Sequence, residues 1–290
     1  MIRGDLSLGV GDPNTAIEFY SRVINQNPRF KAAFINRGTA YNALKEYTKA
    51  LRDLNRAIEL DPSDSIAFGT RGNTYTNLKE YTKALRDYDR AIELDPSNST
   101  AFGARGNAYN ALKEYTKALR DYDRAIELDP SNSIVFGNRG NAYTKLKEYT
   151  KALRDLNRAI ELDPSNSSAF GNRGITYTQL KEYTKALRDY DRAIELDPRD
   201  ALALGGRGSI SLLFGKYQDC IVYYSKFFEI EPDSPHRIMA QYNQAVCYWK
   251  LSKPFHAVRS YMDGFFIDDN VADAIRQIEF PFVARFFLGG

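Results

Sequence analysis

Residues 113–130 read KEYTKALRDYDRAIELDP. Nearly the same words start at Lys45, Lys79, Lys147 and Lys181, always 34 residues apart. The prolines keep that step through Pro28, Pro62, Pro96, Pro130, Pro164, Pro198 and Pro232. A period this strict marks an array of structural repeats, in which each unit buries its apolar face against its neighbours rather than inside one compact core. The repeat overrides length as a guide, since 290 residues alone would suggest two ordinary domains.

The unit from Ser99 to Asn132 serves as the pattern. Phe102, Gly106, Tyr109 and Leu112 are spaced 4, 3 and 3, a stripe on one helical face. Lys113-Glu114 closes that helix into a short turn. Tyr115, Ala118, Leu119, Tyr122, Ala125, Ile126 and Leu128 form the stripe of a second helix. Asp129-Pro130 stops it, because proline disfavours helix in the residue before it and donates no hydrogen bond. Ser131 or Ser133 is expected to cap the next helix. Gly106 and Ala118 are small where two helices must approach, and Tyr109 and Tyr122 are expected to fill the gaps between units. Gly103 and Gly106 share one short helix, each costing ~1 kcal/mol relative to alanine. That helix is therefore expected to depend on stacking.

Phe68, Gly72, Tyr75, Ala84, Tyr88, Ala91 and Pro96 stand at positions 4, 8, 11, 20, 24, 27 and 32 of the unit from Ser65 to Asn98. The set recurs from Lys31 to Asp200, with Leu54 and Leu156 replacing the aromatic at position 24. This pattern resembles the tetratricopeptide repeat. The resemblance implies an all-α, right-handed α-solenoid of antiparallel helix pairs, and only a broad class of function. Five near-identical units fill residues 31–200. Residues 1–30 read as a truncated first unit, with Ala16, Tyr20 and Pro28 at positions 20, 24 and 32. Residues 201–234 form a divergent unit carrying Leu204, Gly208, Ser211, Cys220, Tyr224 and Phe227. Residues 235–269 read as an eighth, divergent unit with Ala245, Tyr248, Ala257 and Tyr261 in the expected places. Residues 270–290 read as a capping helix and an aromatic tail.

Forty basic and 37 acidic residues leave a net charge of +3, and five charges of each sign cancel within the unit from Ser99 to Asn132. Such balance argues against a nucleic-acid partner held through phosphates. No apolar run approaches the ~18 residues that a bilayer span needs, so no membrane partner is expected. The N-terminal residues show no basic start followed by an apolar run, as a signal peptide would. Two cysteines make no disulfide framework. Cys220 and Cys247 sit where small apolar residues are wanted, and a reduced, cytoplasmic setting is the expectation. His236 and His256 are the only histidines, and no ligand spacing, phosphate loop or nucleophile–base arrangement is present. The expectation is a protein with no enzymatic activity, no cofactor and no metal.

In the family that the pattern resembles, first helices line a concave groove that receives an extended peptide or a partner helix, through positions 2, 5, 6, 9, 12 and 13. Here position 6 carries Asn36, Asn138 and Asn172, and position 9 carries Asn73, Asn107 and Asn141. Position 12 carries Asn42 and Asn110, and Gly69, Gly103, Gly137 and Gly171 leave position 5 bare. An asparagine amide offers a donor and an acceptor together, the pair a peptide backbone needs. Against this stands the plainer explanation that duplication copied a family consensus. The family's clamps for Hsp70 and Hsp90 tails use three cations where Gly103, Ser168 and Asn172 stand, although Asn107 and Asn138 match. Without those cations a terminal carboxylate lacks its charge-assisted partners, so these tails are not expected to bind.

Arg37, Arg71, Arg105, Arg139, Arg173 and Arg207 recur at position 7. They form either a cationic row or stems whose heads pair Asp53, Asp87, Asp121, Asp155 and Asp189 at position 23. The recurrence of the acids in step favours pairing. Phe280, Phe282, Phe286 and Phe287 crowd the tail, either sealing the last unit or docking another protein or a second copy through an end. Two functions follow: an adaptor that holds a protein or peptide in an asparagine-rich groove, or a structural spacer within a large complex.

Overall fold

The computed structural model describes residues 12–231, 237–253, 256, 257 and 260. Every regular element among them is helical: α1 (Pro13–Gln26), α2 (Lys31–Ala43), α3 (Tyr47–Leu60), α4 (Ser65–Asn77), α5 (Tyr81–Leu94), α6 (Ser99–Ala111), α7 (Tyr115–Leu128), α8 (Ser133–Lys145), α9 (Tyr149–Leu162), α10 (Ser167–Gln179), α11 (Tyr183–Leu196), α12 (Ala201–Leu213), α13 (Tyr217–Ile230) and α14 (Arg237–Lys250). Two compact units emerge, Met1–Glu148 and Tyr149–Gly290. In each unit, helices pair as hairpins, and each hairpin packs on the next in chain order. First helices also touch first helices of the next hairpin: α2 meets α4, and α4 meets α6.

The turn inside each hairpin has a specific backbone cause. Lys113 adopts a left-handed conformation, φ 62°. Its N–H donates to the Asn110 carbonyl at 3.0 Å, and the Glu114 N–H reaches back to the Tyr109 carbonyl at 2.9 Å. This pair of bonds is a Schellman closure, with lysine in the place that glycine usually takes. Lys45, Lys79, Lys147 and Lys181 repeat it, whereas the divergent hairpin places Gly215 there at φ 70°.

Between hairpins, Asp129 folds back on Ser131 and accepts from its Oγ at 2.6 Å and its N–H at 3.1 Å. That local turn occupies the serine and leaves Asn132 with extended backbone at the helix start. Asn132 Oδ1 then accepts from Val135 N–H at 3.2 Å. The expected serine cap is thus corrected to the residue between the two serines, and Asp64, Asn98, Asn166 and Asp200 cap in the same way.

The core repeats with the sequence. Ala118, Tyr122 and Ala125 of α7 pack with Val135 and Ala142 of α8 in one buried cluster. A Cβ on Gly106 would lie 2.7 Å from Tyr122 Cε1 and 3.3 Å from the Ala118 carbonyl, so the tyrosine ring is what requires the glycine. Arg37, Arg71, Arg105 and Arg173 pair the position-23 aspartates as their in-step recurrence predicts, whereas Arg207 bonds Asp191 of the preceding hairpin at 2.6 Å. Arg105 Nε and Nη2 donate to the two Asp121 carboxylate oxygens at 2.8 and 2.7 Å. The third arm was not foreseen: Arg105 Nη1 reaches Asp89 of the preceding hairpin at 2.7 Å. Arg71 and Arg173 repeat both arms, with Asn55 and Asn157 as the preceding-hairpin acceptors. The arginine stem also lies over Phe102, with the guanidinium 5.6 Å from the ring centre. Each such arginine ties its own hairpin together and fastens it to the one before.

Cys220 and Cys247 are joined as a disulfide, which corrects the expectation of two separate small apolar side chains. The spacing of 27 residues gave no hint of the bridge, because only stacking brings α13 and α14 together.

Candidate functional site

The asparagines at position 9 project from the first helices, and their carbonyl oxygens are largely occupied. Tyr122 donates its hydroxyl to Asn107 Oδ1 at 2.8 Å, and Tyr88 donates to Asn73 Oδ1 at 2.7 Å. Asn138 Nδ2 adds a second bond to Asn107 Oδ1, also at 2.8 Å, across the joint between α6 and α8. A carbonyl oxygen has two lone pairs, so Asn107 has none left, while its own amide N–H groups remain on an exposed side chain. The expectation that each asparagine offers donor and acceptor together is corrected at this residue. The tyrosine takes the acceptor, and what faces outward is a donor.

The tyrosine hydroxyls set this arrangement because they must be satisfied. Tyr88 and Tyr122 are at most 1% exposed, and burial pushes the Tyr88 hydroxyl up to about 12 and raises Tyr122 as well. A buried hydroxyl keeps its proton and needs an acceptor. Tyr88 OH also lies 3.0 Å from Thr76 Oγ1. Where position 24 is Leu54, position 9 is Thr39, whose hydroxyl simply bonds the Ile35 carbonyl of its own helix at 3.0 Å.

The remaining asparagines divide by position. Asn36, on α2, lies beside the Tyr20 hydroxyl of α1. Asn42 Nδ2 donates to Thr74 Oγ1 of the following hairpin at 2.8 Å. The Oδ1 atoms of Asn42 and Asn110 are buried without a hydrogen-bond partner. Asn141 is half-buried on α8. These side chains, seven with Asn138 included, belong to the unit Met1–Glu148, whereas Asn172 is half-buried on α10 in the other unit. At position 5, a Cβ on Gly69 would meet nothing within 4 Å, whereas Gly171 is covered by Leu202. A Cβ on Gly103 would meet Val135 at 3.4 Å, so of these three glycines Gly69 on α4 is the one with open space. Phe280, Phe282, Phe286 and Phe287 lie outside the described residues.

On the other face, second helices carry exposed ion pairs such as Arg56–Glu59 and Arg124–Glu127, both 2.9 Å at i,i+3. Exposed pairs of this kind contribute little to stability. Among the described residues, no cluster of three or more potential metal ligands occurs, and no helix is long and apolar enough to cross a membrane.

The family profile described as Tetratricopeptide repeat matches residues 32–64, 65–98, 99–132, 133–166 and 167–200. No curated protein matches the chain. Among solved structures it is similar to YrrB, described as a TPR protein with an unusual peptide-binding site, at 28% identity and a TM-score of 0.50, over 65% of this chain and 97% of that one. It is also similar to Pseudomonas aeruginosa PilF, at 19% identity and a TM-score of 0.59, over 83% of this chain and 98% of that one. The Cut9–Hcn1 hetero-tetramer of the APC/C aligns at 16% identity and a TM-score of 0.73, over 82% of this chain but only 46% of that one. The last two similarities concern fold alone.

Proposed function

The chain belongs to the tetratricopeptide repeat family, and from that premise we propose that α4 and α6 hold an extended peptide segment of a partner protein through the partner's main-chain carbonyls. At the coarser level it is a protein–protein interaction scaffold. The observation that carries the finer reading is the polarity of Asn73 and Asn107. Both accept from buried tyrosines, so their exposed Nδ2 groups are donors waiting for acceptors. Carbonyls are the acceptors that every peptide carries regardless of sequence. Gly69, with open space where a side chain would stand, supplies room for a backbone to lie close. The peptide-binding site in the description of YrrB, which shares 28% identity, supports the same assignment. No cation stands at Gly103 or Asn172, so chaperone tails ending in a carboxylate are not the proposed ligand.

Asn73→Asp combined with Asn107→Asp separates this role from a structural one. Aspartate still accepts from Tyr88 and Tyr122 but donates nothing, so the helices keep their bonds and the groove loses two donors. Selection of a displayed random-peptide library on the full chain should enrich binders. The double variant, with its melting curve unchanged, should bind them about 5- to 150-fold more weakly, from two hydrogen bonds of roughly 0.5–1.5 kcal/mol each. Equal binding by the variant refutes the donor role. A library that yields no binders favours the alternative of a structural spacer, which the near-identical outer faces of residues 31–200 would suit.

A further inference from the structure

The joint between α13 and α14 differs from every other described joint in what fastens it. At earlier joints an alanine at position 20 of one hairpin packs on a buried residue at position 10 of the next, in some of them alanine on alanine. Ala84 and Ala108 share one buried cluster, and Ala118 and Ala142 share another. Cys220 and Cys247 occupy these same two positions, both are 0% exposed, and they are covalently joined. The charged fastening is missing at the same place. Gln244 stands where the arginine of position 7 would be, and Ser260 and Ser225 stand where its two acceptors would be. A neutral pair of bonds takes over, from Gln244 Nε2 to Ser225 Oγ at 2.9 Å and to the Ile221 carbonyl at 3.2 Å. Earlier joints have an arginine and no covalent bond; this one has a covalent bond and no arginine.

We propose that the Cys220–Cys247 pair is a redox-operated clamp on this joint. In the disulfide state α14 is held on α13. A dithiol reductant transfers two electrons and two protons, the S–S bond becomes two thiols, and the reductant leaves as its own disulfide. Packing and the Gln244 bonds then stand where other joints have an arginine, and α14 opens more often. Because both sulfurs are fully buried, an attacking thiolate reaches them only after the joint opens, so the clamp yields to reductant slowly while the array is folded. A bond closing a 27-residue separation lowers the opening constant by roughly 400-fold in the chain-entropy relation. The inference is independent of the groove assigned above.

Hydrogen exchange of the full chain, followed by mass spectrometry with and without a phosphine reductant, reads the clamp directly. Reduction should speed exchange of α14 amides by about two orders of magnitude and leave α5 to α7 unchanged. Cys220→Ala with Cys247→Ala restores the alanine pair seen at other joints and should exchange like the reduced chain in either condition. A second variant, Ala118→Cys with Ala142→Cys, places the pair at an ordinary joint and should cross-link under air, read as the loss of two hydrogens in mass. Equal α14 exchange in the two redox states overturns the proposal. So does alkylation of both native cysteines in air-exposed, folded protein.

Discussion

Lys113 sits at φ 62° in a conformation that costs a residue with a Cβ about 1–2 kcal/mol. Its ammonium forms no hydrogen bond or ion pair with the described residues, and the side chain is exposed. Lys113→Gly therefore removes strain without removing a contact. Against the gain stands the extra freedom of glycine in the unfolded chain, about 0.5–1 kcal/mol. The net is about 0.5–1 kcal/mol of stabilisation per turn. For a chain of this size each kcal/mol moves the melting temperature by about 2–4 °C, so the single variant should gain about 1–4 °C. Lys79→Gly lies in a separate hairpin with the same geometry, and the two changes should add to about 2–8 °C. The divergent hairpin already carries Gly215 at φ 70° at this position, which shows the closure accepts the substitution. Lys113→Ala is the control, since alanine removes the charge but keeps the Cβ, and it should leave the melting temperature within about 1 °C. Circular dichroism at 222 nm follows the transition. A Lys113→Gly variant that melts below the parent, or a Lys113→Ala variant that gains as much as the glycine one, refutes the backbone argument.

Two further outcomes follow from the core. Gly106→Ala puts a Cβ 2.7 Å from Tyr122 Cε1 and should cost about 1–3 kcal/mol, whereas Gly69→Ala meets open space and should stabilise α4 by up to about 1 kcal/mol; urea titration of both separates them, and equal midpoints would mean that the ring does not dictate the glycine. The hydroxyls of Tyr88 and Tyr190 are pushed up to about 12 by burial, from the ordinary value near 10. Above pH ~10 the unfolded chain releases these protons while the folded chain retains them, so their stabilisation is complete below ~10 and is lost as pH rises towards ~12. Tyr88→Phe with Tyr190→Phe should flatten the fall of the melting temperature across that window, and an unchanged slope would show that these hydroxyls do not titrate late.

The hairpin architecture was legible because it depends on residues repeated in step: the prolines, the small residues at positions 8 and 20, and the arginine–aspartate pair at positions 7 and 23. What escaped depends on which of several capable groups wins a local competition. Ser131, Asn132 and Ser133 can each cap a helix, and the choice falls to Asn132 because Asp129 captures Ser131 first. The left-handed lysine gave no signal, since its residue type is neutral about the turn and only the Schellman bonds reveal it. The third arm of Arg105, toward Asp89, lies 16 residues upstream and becomes visible only once hairpins are stacked.

The same logic governs the groove. On α4 and α6 the tyrosine at position 24 decides what the residue at position 9 shows to the outside. Asn73 and Asn107 face Tyr88 and Tyr122, whose buried hydroxyls demand acceptors, so the amides turn their oxygens inward and their donors outward. In the divergent hairpin Ser209 replaces asparagine, and its Oγ lies 2.8 Å from Tyr224 OH, serving the tyrosine while presenting no amide. The tyrosine is therefore served in both settings, and the outward donor comes only with asparagine. On α10 position 9 is Ile175, and Tyr190 OH lies 3.2 Å from Thr178 Oγ1 instead; on α4 and α6 a structural need for an acceptor explains the polar residue. It does not explain why the amide rather than the smaller hydroxyl fills that position on α4 and α6, the helices on which the proposed peptide would lie.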